Sequence, residues 1–397
     1  MRDEKYESLM RRAIQLARQA WGATHPNPLV GALLVEKGNV VAEGWHRQAG
    51  GAHAEINAMR ALGRAPHSGA TLVVTLEPCS TQGRTGACVD AIVNAGISRV
   101  VAGAADIFPA HRGRGFALLR EAGVEVVEGV LARECDDLNL IFNHRVAHGG
   151  EPLVALKTAS TLDGRIASRT GESRWITGAA ARVDVMLWRR YFPALAVSAA
   201  TVLADNPRLT SRQEGGEVWC PVRFVFDRNL RTAGQGGLYV FEDEFAANTI
   251  VVTIAGYGVP REERAARMSA LERRGAAVWE LPAGGVFFRA FKERCAAAGI
   301  GGVLVEGGGR FLGAWLESGE AGYLFHYTAP KLLSDAEALS AFTGGNRPLL
   351  GDAFTLREVR HAVFDPEGAG DFLTRGWLCL PPREVGCGGG SEPELCA

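Results

Sequence analysis

The chain has 397 residues, of which 47% are hydrophobic and 22% are charged. This length suits two domains of roughly 100 to 200 residues each, and this composition excludes disorder over most of the chain. The 43 basic and 44 acidic residues leave a formal net charge of -1, so the overall charge favours neither a nucleic-acid-binding protein nor one that binds anionic membranes.

The amino-terminal segment and the cysteines bear on location. Residues 1–21 are charged and helically periodic and lack the apolar core of a signal peptide, and no later stretch is long enough to span a bilayer. Two of the eight cysteines have a metal-like setting and the others are scattered, which does not indicate a disulfide framework. We therefore expect a cytoplasmic protein in which Cys135, Cys220, Cys295 and Cys379 are buried thiols.

The first half of the chain alternates predicted helices and strands. Apolar residues recur at helical spacing from Tyr6 to Ala20, and the HPNPLVG run then ends this helix. The later elements are predicted as strands over 30–35, 40–43, 71–75, 99–104 and 124–127, and as helices over 53–62, 87–95 and 116–122. This alternation predicts an α/β layered domain.

The pattern breaks near 143–152, where NHRVAHGGEP combines glycines, polar residues and a proline. A second α/β pattern follows, with predicted strands over 153–156, 194–198, 223–226, 249–254, 277–280 and 302–306 and a helix over 179–190. We therefore predict one domain over 1–146, a second over 152–382 and a flexible tail over 383–397.

An HAE triplet and a pair of cysteines form the strongest chemical signal in the first half. His53 and Glu55 are two positions apart, Cys79 follows a proline, and Cys88 stands where a helix is predicted to begin. One imidazole and two thiolates can hold Zn²⁺ with its fourth position open to water, while an adjacent carboxylate transfers protons. Each residue alone is more often structural. Together they predict zinc-dependent base deamination with Glu55 as the catalytic acid and base.

The first half also resembles the deaminase domain of the bifunctional deaminase and reductase family of riboflavin biosynthesis. The family motifs PNPxVG, HAE and a long PC loop ending in cysteine are matched over 27–31, 53–55 and 78–88. The resemblance implies a cytidine-deaminase-like, three-layer fold, zinc ligation by His53, Cys79 and Cys88, and a phosphoribosylated diaminopyrimidinone as substrate. It implies substrate contacts from Asn27, His46, Arg84 and Asp106, although a solvated residue at a strand end is an equal alternative for His46.

Two departures from the family concern the pyrimidine pocket. The family loop has a histidine after PCS and two prolines before the second cysteine, whereas this chain has Thr81 and Gln82, then Gly86 and Ala87. The family motif DPNP is DIFP here, so Phe108 replaces an asparagine. The metal chemistry is retained, and the identity of the pyrimidine is left open.

Four motifs in the second half follow the order of the reductase domain of the same family. They are KTASTLDGRIA, GESRWIT, TVLADNPRLTSR and VEGGGRFLGAWL, and each alone is common in structural turns. The resemblance implies a dihydrofolate-reductase-like fold that uses NADPH to reduce a ribosyl group to ribityl. Glycines 307–309 would let the backbone approach a pyrophosphate at a helix N-terminus, although on its own the run fits a tight turn.

Matching positions in these motifs imply the reductase site. Lys157 would polarise the sugar carbon that accepts hydride, unless it is only a water-exposed lysine at a strand end. Trp175 would stack beside the nicotinamide, unless it is a core residue. The cofactor contacts implied are Ala159, Trp175, Thr201, Asp205, Gly308, Gly309, Arg310, Phe311, Leu312, Gly313 and Ala314. The substrate contacts implied are Ser173, Arg189, Leu209, Arg212 and Glu306, with the two arginines as a phosphate clamp.

Three functions fit these patterns. The leading hypothesis is a zinc- and NADPH-dependent bifunctional enzyme of riboflavin biosynthesis, which the resemblance suggests is a homo-oligomer. A second keeps the reductase but gives the first domain an altered pyrimidine substrate or impaired activity. A third is a nucleotide-binding sensor with a structural zinc clip, and Glu55 argues against it because a structural zinc needs no adjacent acid.

Overall fold

The computed structural model describes residues 2–81, 86–109, 111–212, 218–345, 349–368 and 370–380. Within these ranges, no helix combines the length and apolar character needed to cross a membrane. The chain divides into two compact units, one formed by Met1–Val154 and Val183–Val305 and the other by Ala155–Arg182 and Glu306–Ala397. The predicted tail over 383–397 lies outside the described residues.

Helices and strands alternate through most of the described chain. The helices are α1 (Arg2–Arg18), α2 (Ala54–Leu62), α3 (Cys88–Asn94), α4 (Arg114–Glu121), α5 (Ala132–Leu138), α6 (Leu140–Ala147), α7 (Ala179–Tyr191), α8 (Ala199–Asp205), α9 (Tyr239–Glu242), α10 (Arg261–Arg273), α11 (Phe287–Ala297) and α12 (Gly309–Ser318). The strands are β1 (Gly31–Glu36), β2 (Asn39–Trp45), β3 (Thr71–Leu76), β4 (Arg99–Ala104), β5 (Glu125–Val127), β6 (Leu153–Thr161), β7 (Arg165–Ala167), β8 (Ala194–Ser198), β9 (Val222–Phe226), β10 (Thr249–Ile254), β11 (Ala277–Leu281), β12 (Gly302–Glu306), β13 (Tyr323–Ala329), β14 (Leu339–Ser340), β15 (Thr355–Phe364) and β16 (Asp371–Cys379).

A five-stranded sheet with the order β2-β1-β3-β4-β5 organises the amino-terminal part of the first unit. β1 is antiparallel to both β2 and β3, whereas β3, β4 and β5 are parallel. β1 and β3 are buried along their whole length because their sequences, GALLVE and TLVVTL, place apolar side chains on both faces. Such a doubly buried sheet requires a helical layer on each side.

Helices supply both layers. On one face, the core includes Ala58 of α2, Ile92 of α3 and Leu119 of α4. On the other face α1 lies so close to β1 that a Cβ at Gly31 would clash with the carbonyl oxygen of Ala13. The amino-terminal part is therefore a three-layer α/β structure, as predicted.

A second close approach seats α2 on the sheet. A Cβ at Gly44 of β2 would clash with the backbone of Ala54 and Ala58 in α2. The glycine thus allows the helix backbone to pack directly on the strand backbone. This contact sets the height of the α2 N-terminus, where the HAE triplet lies, above the sheet.

Residues 183–305 add parallel strands in the order β11-β10-β9-β8-β12 to the first unit. Aromatic residues of α7 join them to the amino-terminal part: the Trp188 and Trp21 ring centroids are 5.6 Å apart, and the Ile141 N–H donates to the Tyr191 hydroxyl at 3.0 Å. These long-range contacts group 183–305 with the amino-terminal segment. The domain boundary near 146–152 stays a prediction.

The second unit contains β6 beside β13 in parallel, followed by β16 and β15 in antiparallel pairing. Its TLDGR turn is held by Asp163, whose carboxylate accepts from the Thr161 hydroxyl at 2.6 Å and the Ser334 N–H at 2.8 Å. These hydrogen bonds, led by that from Thr161, lower the pKa of Asp163 to about 2. The turn after β6 is therefore anchored by an ionised carboxylate.

Two expectations about local structure are wrong. The polar segment predicted from 143 onward begins inside α6, which runs to Ala147 because Leu140 and Ile141 are buried and support the helix. Cys220 and Cys379 are only half-buried, whereas Cys135 and Cys295 are buried as expected. Neither difference concerns the chemical motifs.

Candidate functional site

Three potential metal donors meet at one edge of the five-stranded sheet. His53 precedes α2, Cys79 lies in the loop after β3, and Cys88 is the first residue of α3. His53 Nδ1 is 3.2 Å from Cys88 Sγ and 3.5 Å from Cys79 Sγ, and all three donor atoms lie within 4.8 Å of one another. One ring nitrogen and two sulfurs at this spacing fit a zinc ion.

The two thiols are electrostatically distinct. A hydrogen bond from Cys88, together with His53, lowers the pKa of Cys79 to about 4, and the Cys88 N–H also donates to Cys79 Sγ at 3.3 Å. The pKa of Cys88 is raised because its thiol keeps the shared proton and is buried. Cys79 is therefore a ready thiolate, and a divalent cation would be needed to ionise Cys88 as well.

Glu55 stands beside these donors in the first turn of α2. It is 3% exposed, and burial raises the pKa of its carboxyl. Its side chain also interacts with the Cys88 thiol. A buried carboxyl with a raised pKa holds a proton more readily than an exposed one, which suits a group that takes up a proton and passes it on.

Asn27 and His46 form a hydrogen-bonded pair next to His53. His46 Nε2 is 3.2 Å from Asn27 Nδ2, and Nδ1 is 3.1 Å from the carbonyl oxygen of Ala52. Because that carbonyl can only accept, Nδ1 donates and Nε2 accepts from the Asn27 amide. His46 is buried, so the alternative of a solvated strand-end residue is wrong. The pair fixes which end of the Asn27 amide faces the ring.

Asp106 and Phe108 lie in the loop after β4. One Asp106 oxygen accepts from the Phe108 N–H at 2.9 Å, and the other is 3.7 Å from His111 Nδ1. The Phe108 ring is 45% exposed, and its centroid lies 5.0 Å from that of His111. Arg84 and Gln82 lie outside the described residues.

Two predicted reductase residues of the second unit form an ion pair. Lys157 Nζ lies 4.0 Å from Glu306 Oε2 and 5.7 Å from the Tyr327 ring centroid. Lys157 is only partly exposed, so the alternative of a water-exposed lysine at a strand end is wrong. The pair places a cation and an anion together at β6 and the end of β12.

Trp175 of the second unit is 65% exposed, so the alternative of a core tryptophan is wrong. The Arg182 guanidinium lies 4.5 Å from its ring centroid. Lys331 Nζ donates to the carbonyl oxygens of Trp175 at 3.1 Å and Ile176 at 2.7 Å. The tryptophan is thus presented to solvent from an anchored segment.

The glycines before and within α12 serve different structural purposes. A Cβ at Gly309 or Gly313 would clash with the backbone at Ser340 or Thr343, so close packing explains these two glycines. A Cβ at Gly308 would meet nothing within 4 Å, which leaves room for a ligand. Of the other residues predicted here and nearby, Arg310 is exposed, Leu312 is buried, and Ser173, Ala159, Phe311 and Ala314 are half-buried.

The remaining predicted reductase residues belong to the first unit. Arg189 Nη1 donates to the Thr210 carbonyl oxygen at 3.4 Å, and the Thr201 N–H donates to Ser198 Oγ at 3.3 Å. Leu209 is buried with φ of 52°, while Asp205 and Arg212 are exposed. The roles of these residues, including the phosphate clamp, stay predictions.

Three supporting residues were not predicted. Glu77 accepts backbone N–H groups from the loop after β4, and Lys331 holds the Trp175 segment. The fully buried Arg223 pairs with Asp243 at 2.7 Å and donates to the Arg208 carbonyl oxygen at 3.1 Å within the ADNPRLTSR segment. Their partners include backbone atoms distant in sequence, which leave no motif; only the position of Glu77 directly before the Pro-Cys pair is a usable signal.

Comparison with known proteins gives matches over both halves. Residues 3–104 match the family model of the cytidine and deoxycytidylate deaminase zinc-binding region, and residues 152–367 match that of the RibD C-terminal domain. The riboflavin biosynthesis protein RibD of Actinobacillus pleuropneumoniae is 40% identical over 350 residues, covering 88% of this chain and 90% of that protein. That of Escherichia coli is 36% identical, covering 91% and 97%.

Solved structures agree with these matches. A Thermotoga maritima structure, described as a diaminohydroxyphosphoribosylaminopyrimidine deaminase/5-amino-6-(5-phosphoribosylamino)uracil reductase, superposes with a TM-score of 0.73 at 33% identity, covering 96% of this chain and all of that one. Acinetobacter baumannii RibD gives a TM-score of 0.70 at 30% identity over 96% of this chain. With its zinc-site geometry, its layered fold and these full-length matches, the chain belongs to the RibD family of riboflavin biosynthesis proteins.

Proposed function

We propose that the two activities of this bifunctional deaminase and reductase belong to separate segments of the chain. Residues 1–146 deaminate 2,5-diamino-6-(5-phosphoribosylamino)pyrimidin-4(3H)-one, residues 152–382 then reduce its ribosyl group to ribityl with NADPH, and 383–397 form a tail. The family matches at 3–104 and 152–367 support this division. The substrates follow from the activities named for the Thermotoga maritima relative.

In the deaminase site, His53, Cys79 and Cys88 would hold zinc, which would act as a Lewis acid that makes water nucleophilic at neutral pH. Glu55 accepts a proton from the attacking water and delivers it to the leaving amine, so the carbon–nitrogen bond breaks and ammonia departs. Its buried, raised-pKa carboxyl supports both transfers. Asn27, oriented by His46, with Asp106 and Arg84, would hold the substrate.

In the reductase site, NADPH would supply the hydride when bound. Lys157, partnered by Glu306, stabilises negative charge on the ring oxygen of the ribosyl group as the bond from that oxygen to the carbon that accepts hydride breaks. The oxygen then takes a proton from water and becomes a ribityl hydroxyl. Trp175 offers an exposed ring for stacking beside the nicotinamide, and the open space at Gly308 suits a close phosphate. The other predicted cofactor and substrate contacts, among them Ala159 and Arg212, align the two molecules and form no covalent bond with them.

The observation that carries the deaminase proposal is the meeting of three donors within 4.8 Å beside a buried glutamate. The test is a paired assay on the purified protein. Zinc content, ammonia release from the diaminopyrimidinone phosphate and NADPH oxidation with the deaminated product should all be positive. Chelation should abolish ammonia release alone, and ammonia release that persists without zinc would contradict the mechanism.

The alternatives are not favoured by the match over 96% of this chain to the Thermotoga maritima structure, whose description names both a deaminase and a reductase. NADPH oxidation without ammonia release would favour the second hypothesis, a reductase whose deaminase domain has an altered substrate or impaired activity. We further propose a homo-oligomer in the cytoplasm that acts on small molecules rather than on nucleic acid or membranes. The need for reduced thiols at Cys79 and Cys88 supports the cytoplasm as the location. The near-zero net charge supports action on small molecules rather than on nucleic acid or membranes.

A further inference from the structure

Glu77 connects the strand that leads to Cys79 with the loop that follows β4. One of its carboxylate oxygens accepts the backbone N–H of Asp106 at 3.0 Å and that of Gly113 at 2.9 Å. The other accepts the N–H of Gly115 at 2.9 Å. Glu77 is buried, so these hydrogen bonds are shielded from water. One side chain therefore holds both ends of the 106–113 segment.

The start of α4 is pressed against the same peptide. A Cβ at Gly115 would clash with the carbonyl oxygen of Pro78 and approach the Glu77 side chain. Because β3 and β4 are parallel, the segments that follow them leave the sheet at the same edge. The loop carrying Asp106 and Phe108 is thus tied directly to the residues that precede the metal donor Cys79.

We propose that Glu77 is a positioning residue for pyrimidine recognition, which it serves by fixing the 106–113 loop relative to the metal donors. This inference rests on the proposed deamination. Glu77 itself touches neither substrate nor metal donors in this role. Its carboxylate sets where Asp106 and the exposed Phe108 ring stand when the substrate binds.

Replacing the carboxylate by an amide tests the role with little change in volume. In Glu77→Gln, one of the two acceptor oxygens becomes an NH₂ group that faces backbone N–H donors, so at least one hydrogen bond is lost. Hydrogen bonds to charged acceptors are among the stronger ones in proteins. We expect KM for the diaminopyrimidinone phosphate to rise about tenfold, with a smaller change in kcat.

Glu36 offers a matched control in the same sheet. It is equally buried, it ends β1, and its carboxylate accepts from the His67 N–H at 2.8 Å and from Arg64. β1 is antiparallel to β3, so Glu36 lies at the opposite edge from Cys79. Glu36→Gln should lower stability and leave KM unchanged.

The experiment measures ammonia-release kinetics, zinc content and backbone amide exchange over 105–115 in the wild type and both variants. The proposal is supported if Glu77→Gln, unlike Glu36→Gln, shows a raised KM and faster amide exchange while it keeps its full zinc content. Wild-type KM in zinc-loaded Glu77→Gln, loss of its zinc, or an equal rise in Glu36→Gln overturns it. If Glu77→Gln does not fold, Glu77→Asp is judged by the same criteria. Absence of ammonia release from the zinc-loaded wild type would instead overturn the proposed deamination.

Discussion

The deaminase and reductase residues differ in how the chain assembles them. His53, Glu55, Cys79 and Cys88 come from one sheet edge within one compact unit, and the donor atoms of His53, Cys79 and Cys88 lie within 4.8 Å of one another. The predicted reductase residues are divided, with Lys157, Trp175, Glu306 and the α12 glycines in the second unit and Thr201, Arg189 and Arg212 in the first. A metal site needs donors within a few ångströms of one another, and the first unit alone meets this need for the deaminase residues. The roles of the reductase residues stay predictions.

The largest effect is expected at Glu55. In Glu55→Gln the side chain can no longer accept a proton, so ammonia release should fall about 1,000-fold. Zinc content and NADPH oxidation with the deaminated product should be unchanged, because Glu55 is not a metal donor. Glu43→Gln on β2 is the control and should behave as wild type. Loss of zinc together with activity would show that Glu55 belongs to the metal site.

Lys157→Met should give the next largest effect, in the other activity. Removing the cation beside Glu306 should lower the rate of NADPH oxidation about 100-fold. Ammonia release should be unaffected, because the deaminase donors belong to the other compact unit. Lys5→Met in α1, an exposed position, is the control. A parallel fall in both activities would contradict the separation of the two sites.

Phe108→Asn restores the residue that the family motif carries. We expect KM of deamination to fall about fivefold, since a new hydrogen bond contributes roughly 1 kcal/mol. Val41→Asn, at another exposed apolar position, should leave KM unchanged. An unchanged KM in Phe108→Asn would mean that Phe108 lies outside the pyrimidine pocket.

The smallest effect concerns the stability of the first unit. Burial lowers the pKa of His144 to about 3, so the folded state favours its neutral form. This contribution to stability is complete above the unfolded pKa of about 6.5 and is lost as the pH falls below it. Between pH 7.5 and 6.0 the wild type should lose about 0.8 kcal/mol of unfolding free energy more than His144→Phe does. Urea unfolding at both pH values measures this difference. Equal losses would mean that His144 has the same pKa in the folded and unfolded states.

The sequence predicted the chemistry best where the chemistry is local. His53 and Glu55 are two positions apart at the start of α2, and Cys79 and Cys88 flank one loop, so spacing alone indicated their association. The orientation of Asn27 by His46 was not predicted because it depends on the Ala52 carbonyl oxygen. Backbone partners carry no residue identity, and they therefore leave no trace in a motif.

The grouping of 183–305 with the amino-terminal segment could not be predicted from the sequence, for a related reason. It depends on Trp21 meeting Trp188 and Tyr191, which are more than 150 positions away along the chain. Each of these aromatic residues fits any buried helix face. Apolar periodicity shows that a face is covered, and it does not show which distant segment covers it.

Gly44 has a consequence for altering this enzyme by mutation. Because the α2 backbone rests directly on this glycine, every substitution at Gly44 must lift the helix that carries Glu55 and shift His53 at its start. Thr81 and Phe108, in the loops after β3 and β4, are exposed instead. A library of variants that seeks new pyrimidine substrates should therefore vary these loop positions and keep Gly44 unchanged. The substitutions then do not displace α2 or the donor His53 at its start.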